Sequence, residues 1–453
     1  MRISRYSRTN VPMNAASATS IANYSRSLTY FYSFNVFCLR ESLNLKRAAV
    51  SCTAFRKIGE EEYKERKTSN ELGSIVGKRS LGRGGPQVPL LCFGCMLFGE
   101  STSYSEAERL LGLCMDAGVN FFDTAEMYPV PQRAETQGAS EEYLGRWLRS
   151  NGVRREGILL ASKVAGPSGQ MTWLRGGPHK VDAANIQQAL DGTLRRLGTD
   201  YVDLYQIHWP DRYVPMFGDS EYDPVCAYDG AVPLEEQLEA LARAVRAGKV
   251  RYVGLSNETP WGLHKALTAA SLDPSLPRVV SLQNAYSLTC RTFDNGLAEV
   301  CHLEGVGLMA YSPLAMGLLT GKYQVPGGGP PAARLNRYRG RYAEAESRYG
   351  PKPNVREAVA AYCALAAEAG LSPAQMALRF VLSRPLVSCA VIGATSSDQL
   401  AELLAAAEPG WGWGPGSAAR DGLGGRGEGA QWLPAEVLAA IDRIHTQFPN
   451  PTP

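Results

Sequence analysis

Residues 119–164 read VNFFDTAEMYPVPQRAETQGASEEYLGRWLRSNGVRREGILLASKV. Two short, nearly all-apolar runs, 119–125 and 157–164, flank a stretch at 139–150 whose apolar residues recur at helical spacing. Runs that are apolar without in-and-out alternation belong to strands buried on both faces, as in a parallel sheet. A helix between two such strands is the parallel crossover unit. Asp123 stands inside the first run, where an isolated carboxylate is costly, so it requires a partner.

The same unit recurs outward in both directions. VPLLCFG (88–94) precedes a helical run at 105–118, and 157–164 is followed by a helix at 182–198 with Asp182 as its N-cap. Then come YVDLYQIHW with LEEQLEALARAVRAG, VRYVGLSN with WGLHKALTAA, and VVSLQNAY with FDNGLAEVCHLEG. VGLMAYSP with VREAVAAYCALAAEAG and SCAVIGAT with SDQLAELLAAA complete the set. Eight strand–helix pairs predict an α/β fold, a closed (β/α)8 TIM barrel, over 78–453. A doubly wound open sheet is the competing arrangement. It is disfavoured because CFGCMLFGE after the first strand is no GxGxxG fingerprint. Residues 405–432 are Gly-rich and read as a surface insertion.

The chain has 453 residues and a net charge of +3. Residues 1–58 hold nine Lys/Arg and one acid, a balance of +8, so the remainder carries −5. The folded part therefore has no basic footprint for nucleic acid. The Ser- and Arg-rich stretch 1–58 reads as a disordered organelle transit leader, plastid before mitochondrion, with a plain tail in a cytoplasmic protein as the alternative. A fluorescent fusion of 1–58 should enter an organelle; a diffuse cytosolic signal would sink that reading. Its apolar patch is too short to span a bilayer. Residues 59–77 read as a linker. Ten cysteines are scattered singly except for Cys92 and Cys95. With no second Cys/His pair nearby, they read as buried reduced thiols, and no metal is expected.

Active sites of such barrels lie at the carboxyl ends of the strands. Those ends carry Asp123, Lys163, His208, Ser256, Asn257, Gln283, Tyr311 and Ser312. Asp123 and Lys163 end neighbouring strands and are expected to form a buried ion pair. Tyr128, in the loop beyond, is expected within reach of Lys163, whose ammonium would lower the phenol's pKa. Such a tyrosine beside His208 suits protonation of a carbonyl oxygen. The hydride that the carbon then needs must come from a nicotinamide cofactor.

FFDTAEMY, ASKV, QIHWPD, GLSNET, LQNAYS, AYSPLAMGLLTGKY and VIGATSSDQL resemble the aldo-keto reductase superfamily, and DTAEMYPVPQRAETQG is similar to the long loop of its Tas-like branch. The resemblance runs from about Lys78 to His445. It implies a barrel that binds NADP(H) in extended form and reduces an aldehyde or ketone. It places the catalytic tetrad on Asp123, Tyr128, Lys163 and His208, with Tyr128 the general acid. It places Ser256, Asn257 and Gln283 on the nicotinamide carboxamide and Tyr311 against the ring. Residues 312–322, with Ser312, Leu314, Gly317 and Lys322, would pass along the pyrophosphate. Thr395, Ser396 and Gln399 would meet the 2′-phosphate and adenine. There the chain departs from the pattern: Leu403 stands where an asparagine is common, and a strong basic residue is missing, which Arg334 would replace. Trp209 and the loops 165–181 and 210–233 are expected to shape the mouth for a small carbonyl substrate.

Two other classes compete. Some relatives are channel β-subunits that hold NADPH and turn over slowly, so a regulatory protein is the alternative function. A Schiff-base enzyme using Lys163 as nucleophile is disfavoured by the expected pairing with Asp123.

Overall fold

The computed structural model describes residues 76–177, 179–408 and 432–453. The leader and most of the Gly-rich stretch lie outside the described residues.

Eight parallel strands close into a barrel: β3 (Leu91–Gly94), β4 (Phe121–Asp123), β5 (Leu159–Val164), β6 (Val202–Ile207), β7 (Val250–Ser256), β8 (Val279–Ala285), β9 (Gly307–Tyr311) and β10 (Val387–Ile392). Neighbours follow chain order, and β10 pairs with β3 to shut the ring. The crossovers are α1 (Tyr104–Asp116), α2 (Ala139–Ser150), α3 (Ala183–Leu197), α4 (Leu234–Arg246), α5 (Pro260–Leu272) and α6 (Leu297–Glu304). The crossover from β9 to β10 is longer, with α7 (Arg334–Arg337), α8 (Ala343–Tyr349), α9 (Pro353–Glu368) and α10 (Pro373–Leu382). After β10 come α11 (Ser397–Ala406) and α12 (Ala435–Gln447). Asp182 caps α3 as expected: its carboxylate accepts the Asn185 amide at 2.8 Å.

Three expectations need correction. The strand expected at 88–94 is two strands. Gln87–Pro89 (β2) turns back on Lys78–Ser80 (β1) as an antiparallel hairpin, and only Leu91–Gly94 joins the barrel. The hairpin supplies Leu81 and Val88 to an apolar cluster with Cys92, Phe121, Ala161, Leu204, Met309 and Cys389, so it plugs the barrel's amino end. Val76, assigned to the linker, is buried in the main core, so the fold begins before Lys78. The Gly-rich stretch does not begin at 405: α11 runs to Ala406, and Trp432 is buried against the core.

Successive side chains on a strand face opposite sides, so residues two apart face the barrel axis in successive layers. Phe121, Ala161, Leu204 and Met309 belong to the inner apolar cluster. Two positions further toward the carboxyl ends stand Asp123, Lys163, Gln206 and Tyr311. The apolar layer is what positions the polar one. Gly254 belongs to this packing: a Cβ there would lie 2.5 Å from Ser281 Oγ and 3.1 Å from Gln206 Cγ.

Candidate active site

Lys163 is fully buried. Its ammonium donates to Asp123 Oδ2 at 2.5 Å and to the Thr124 carbonyl at 2.8 Å. The other carboxylate oxygen of Asp123 accepts from Gln283 Nε2 at 2.9 Å and Gln206 Nε2 at 3.2 Å. The buried charges are thus paired and hydrogen-bonded, which is what makes such a pair tolerable. A lysine whose nitrogen is fully buried and already held by Asp123 and Thr124 leaves no approach for a carbonyl carbon, which weighs against Schiff-base chemistry. Gln206 was not singled out from the sequence. Its spacing two residues after the inward Leu204 was the signal that would have found it.

Tyr128 lies in the loop after β4, its hydroxyl 3.4 Å from His208 Nε2. Its ring centroid is 5.0 Å from the Lys163 ammonium. The expected lowering of its pKa is overturned. Burial, and then the Asp123 carboxylate, push the phenol well above its ordinary range. Lys163 directs its donors at Asp123 and Thr124, and Asp123 offsets its field.

His208 follows β6, with its amide bonded to the Val164 carbonyl at 2.9 Å. Burial, and then the neighbouring Lys163 ammonium, hold its pKa well below the ordinary histidine value. The ring is therefore neutral at neutral pH, and its Nδ1 is buried without a partner among the described residues. A consequence for stability follows. Below about pH 6.5 the unfolded chain takes up a proton at this position that the native state refuses. Stability should fall as the pH drops through that value toward the lowered native one, by at most about 1.4 kcal/mol per pH unit for this one proton. Urea unfolding of wild type and His208→Gln between pH 7 and 5 checks this; an equal acid dependence in both would remove His208 as the cause.

The loop bearing Tyr128 is tied down from two sides. Glu126 accepts the Ala165 amide at 2.7 Å and pairs with Arg175. Arg175 also reaches Asn185 Oδ1 at 2.9 Å and has a left-handed backbone, φ 51°, rare outside glycine. Trp209 lies tilted against His208 with centroids 4.8 Å apart and donates its Nε1 to the Pro167 carbonyl at 2.8 Å. It packs between His208 and the mouth-loop residues Pro167 and Phe217. Asp211 holds both mouth loops, accepting the Val181 amide at 2.7 Å and the Tyr228 hydroxyl at 3.2 Å.

Four of the residues assigned to the nicotinamide meet at one place. Ser256 Oγ donates to the Gln283 carbonyl at 2.8 Å. The Tyr311 hydroxyl donates to Asn257 Oδ1 at 2.7 Å, and Asn257 Nδ2 to the His208 carbonyl at 2.9 Å. Asn257 is held at φ 53°. In the segment after β9, Ser312, Ala315, Met316 and Gly317 all have positive φ. Left-handed backbone of this kind forms concavities whose amides hold anions. A Cβ at Gly317 would come within 2.8 Å of Lys322 Nζ. Thr395, Ser396 and Gln399 are bonded to one another at the start of α11: Gln399 Oε1 accepts the Thr395 amide at 3.0 Å, and Ser396 Oγ accepts the Gln399 amide. Leu403 is buried in the core, on a side of α11 away from solvent. Arg334 lies near Tyr128 and Tyr342, with a contact to Met96 Sδ at 4.0 Å and its buried Nε without a partner among the described residues. A half-buried guanidinium so placed fits an anionic group.

Cys92 and Cys95 are buried, and burial pushes both thiols up. Among the described residues no group of three or more His, Cys, Asp or Glu could hold a metal ion, and no helix is long and apolar enough to cross a membrane.

Residues 90–409 match the model of the aldo/keto reductase family. The chain belongs to that family. It is 46% identical over 314 residues to Protein tas of Escherichia coli (strain K12), covering 69% of this chain and 88% of that one. It is 31% identical over 332 residues to the L-glyceraldehyde 3-phosphate reductase of the same strain, covering 72% and 85%. It is equally 31% identical over 332 residues to a probable voltage-gated potassium channel subunit beta of Oryza sativa subsp. japonica, covering 72% and 90%. This aldo/keto reductase is therefore an oxidoreductase that acts on carbonyl groups, and it resembles the Tas-like members.

Proposed function

We propose that this aldo/keto reductase converts an aldehyde or ketone to the alcohol with NADPH. The observation that carries the reading is the buried cluster of Asp123, Lys163, Tyr128 and His208 at the barrel's carboxyl end. A nicotinamide dinucleotide, when bound along Tyr311, Asn257, Gln283 and residues 312–322, supplies the hydride. The chain's residues do the rest. Tyr128 Oη and His208 Nε2, 3.4 Å apart, can both address one carbonyl oxygen. His208 is neutral, so it orients that oxygen without adding charge to a buried site. Tyr128 is fully protonated at rest. It gives up its proton only as negative charge develops on the carbonyl oxygen and makes that oxygen the stronger base. Asp123 and Lys163 hold each other in place beside the Tyr128 ring.

The preference for NADPH over NADH is drawn from the family resemblance, and Arg334 is the half-buried cation assigned to the 2′-phosphate, while Lys322 would meet the pyrophosphate that both dinucleotides share. A fluorescence titration of residues 71–453 with each dinucleotide tests it. Tight NADPH binding is expected, weakened about tenfold in Arg334→Met for NADPH and little for NADH, since a charge-assisted hydrogen bond is worth roughly 1.5–3 kcal/mol. NADH preference would overturn the assignment to the 2′-phosphate, and binding of neither would end the reductase reading. The rice relative supports a second reading, a dinucleotide-holding regulatory subunit that turns over slowly. Steady-state turnover with a panel of aldehydes separates the two.

A further inference from the structure

Arg348 lies in α8, 37 residues beyond Tyr311, and no reading of the strand ends reaches it. It is nonetheless 95% buried, with a relative exposure of 5%. Its guanidinium forks between two acceptors. Nη1 donates to the Tyr311 hydroxyl at 2.9 Å, and Nε donates to the Pro453 carbonyl at 2.7 Å. Glu344, one turn earlier, is 3.8 Å away. The rings of Tyr311, Phe217 and Tyr349 lie 5.7, 5.8 and 5.8 Å from its central carbon. Phe217 belongs to the mouth loop, has φ 55°, and makes an edge contact with Trp209.

The chemistry of these groups fixes the direction of the whole chain of bonds. A guanidinium can only donate. The Tyr311 oxygen must therefore accept from Arg348, which leaves its own hydrogen for Asn257 Oδ1. Asn257 then presents Nδ2 to the His208 carbonyl. One polarised path thus runs from the backbone of Pro453 through Arg348, Tyr311 and Asn257 to the backbone of His208. The far end agrees, because the His208 carbonyl can only accept, so Asn257 must give it Nδ2 and turn Oδ1 toward the Tyr311 hydroxyl.

We propose that Arg348 is a positioning residue of the reductase site. By donating to the Tyr311 oxygen it anchors the near end of this path, and so holds Tyr311 against the nicotinamide and the His208 backbone beside Tyr128. This rests on the proposed dinucleotide site, in which Tyr311 faces the ring. Arg348 itself touches neither substrate nor cofactor.

The test is a double-mutant cycle on NADPH affinity by fluorescence titration, using Arg348→Met, Tyr311→Phe and both together. Each single variant should raise the Kd about tenfold, and the double variant should stay within about threefold of the worse single, because both break one path. Purely structural loosening at Arg348 would instead multiply with Tyr311→Phe, and that result overturns the proposal. So does an Arg348→Met Kd within twofold of wild type, provided wild type binds. A wild type that binds no dinucleotide overturns the proposed function and this inference together. Should Arg348→Met fail to fold, Arg348→Lys replaces it. Lysine keeps the charge but not the fork, so a Kd raised at least threefold and non-additive with Tyr311→Phe is expected; an unchanged Kd counts against the proposal.

Discussion

Tyr128→Phe should lower the rate of carbonyl reduction by about 10²- to 10⁴-fold, the usual contribution of a general acid, while the affinity for NADPH changes little. The substitution removes one oxygen and leaves the ring beside His208 and Lys163. The phenol's environment makes this a severe test. Burial and Asp123 raise its pKa, so Tyr128 is not a partly ionised acid with a proton already loose. It must act by donating to an oxygen that becomes more basic than itself as hydride arrives. The rate in Tyr128→Phe should then be insensitive to pH across the range where wild type depends on that phenol. Single-turnover measurements with enzyme in excess would isolate the chemical step. A variant that keeps more than a tenth of the wild-type rate would remove Tyr128 as the acid and leave His208 or a water in its place.

The second large effect concerns stability. Asp123→Leu leaves the Lys163 ammonium fully buried with only the Thr124 carbonyl opposite it. Lys163→Met leaves the carboxylate with two amide donors and no cation. Removing one partner of a buried pair typically costs about 3–5 kcal/mol, whereas replacing both by apolar groups is often close to neutral. The double variant should therefore recover most of the stability lost by either single one, and it should remain inactive. Urea unfolding midpoints for the four proteins measure the coupling. Additive losses would mean that the pair is not energetically linked. Activity in the stable double variant would mean that the charges are structural and not catalytic.

The barrel was legible because eight apolar runs alternate with helical runs, and period and length are properties of neighbouring residues. The site was legible for a related reason. Asp123, Lys163, His208, Gln283 and Tyr311 all stand at strand ends, and the closed ring brings strand ends together. What escaped depends on distance in the chain. The β1–β2 hairpin has three-residue strands, too short to show a period, and it merged with β3 in the reading. The helix Pro373–Leu382 is apolar nearly all round, since every residue from Ala374 to Leu382 is buried, so its polar stripe is missing. Arg348 meets partners 37 and 105 residues away. The sign of the Tyr128 shift escaped because it depends on burial and on how Lys163 divides its hydrogen bonds, neither of which a spacing records.

Asp211 carries a last consequence. Its two carboxylate oxygens hold one loop each, Val181 from 165–181 and Tyr228 from 210–233. The tip of 210–233 stands clear in solvent, with Tyr222 at 59% and Val225 at 87% exposure. The two loops are therefore one inheritable cassette. Transplanting 210–233 into a sister barrel by itself would strand half of the buried Asp211 carboxylate, whereas moving it together with 165–181 keeps both bonds but also carries Arg175, so the host must supply a carboxylate in the place of Glu126.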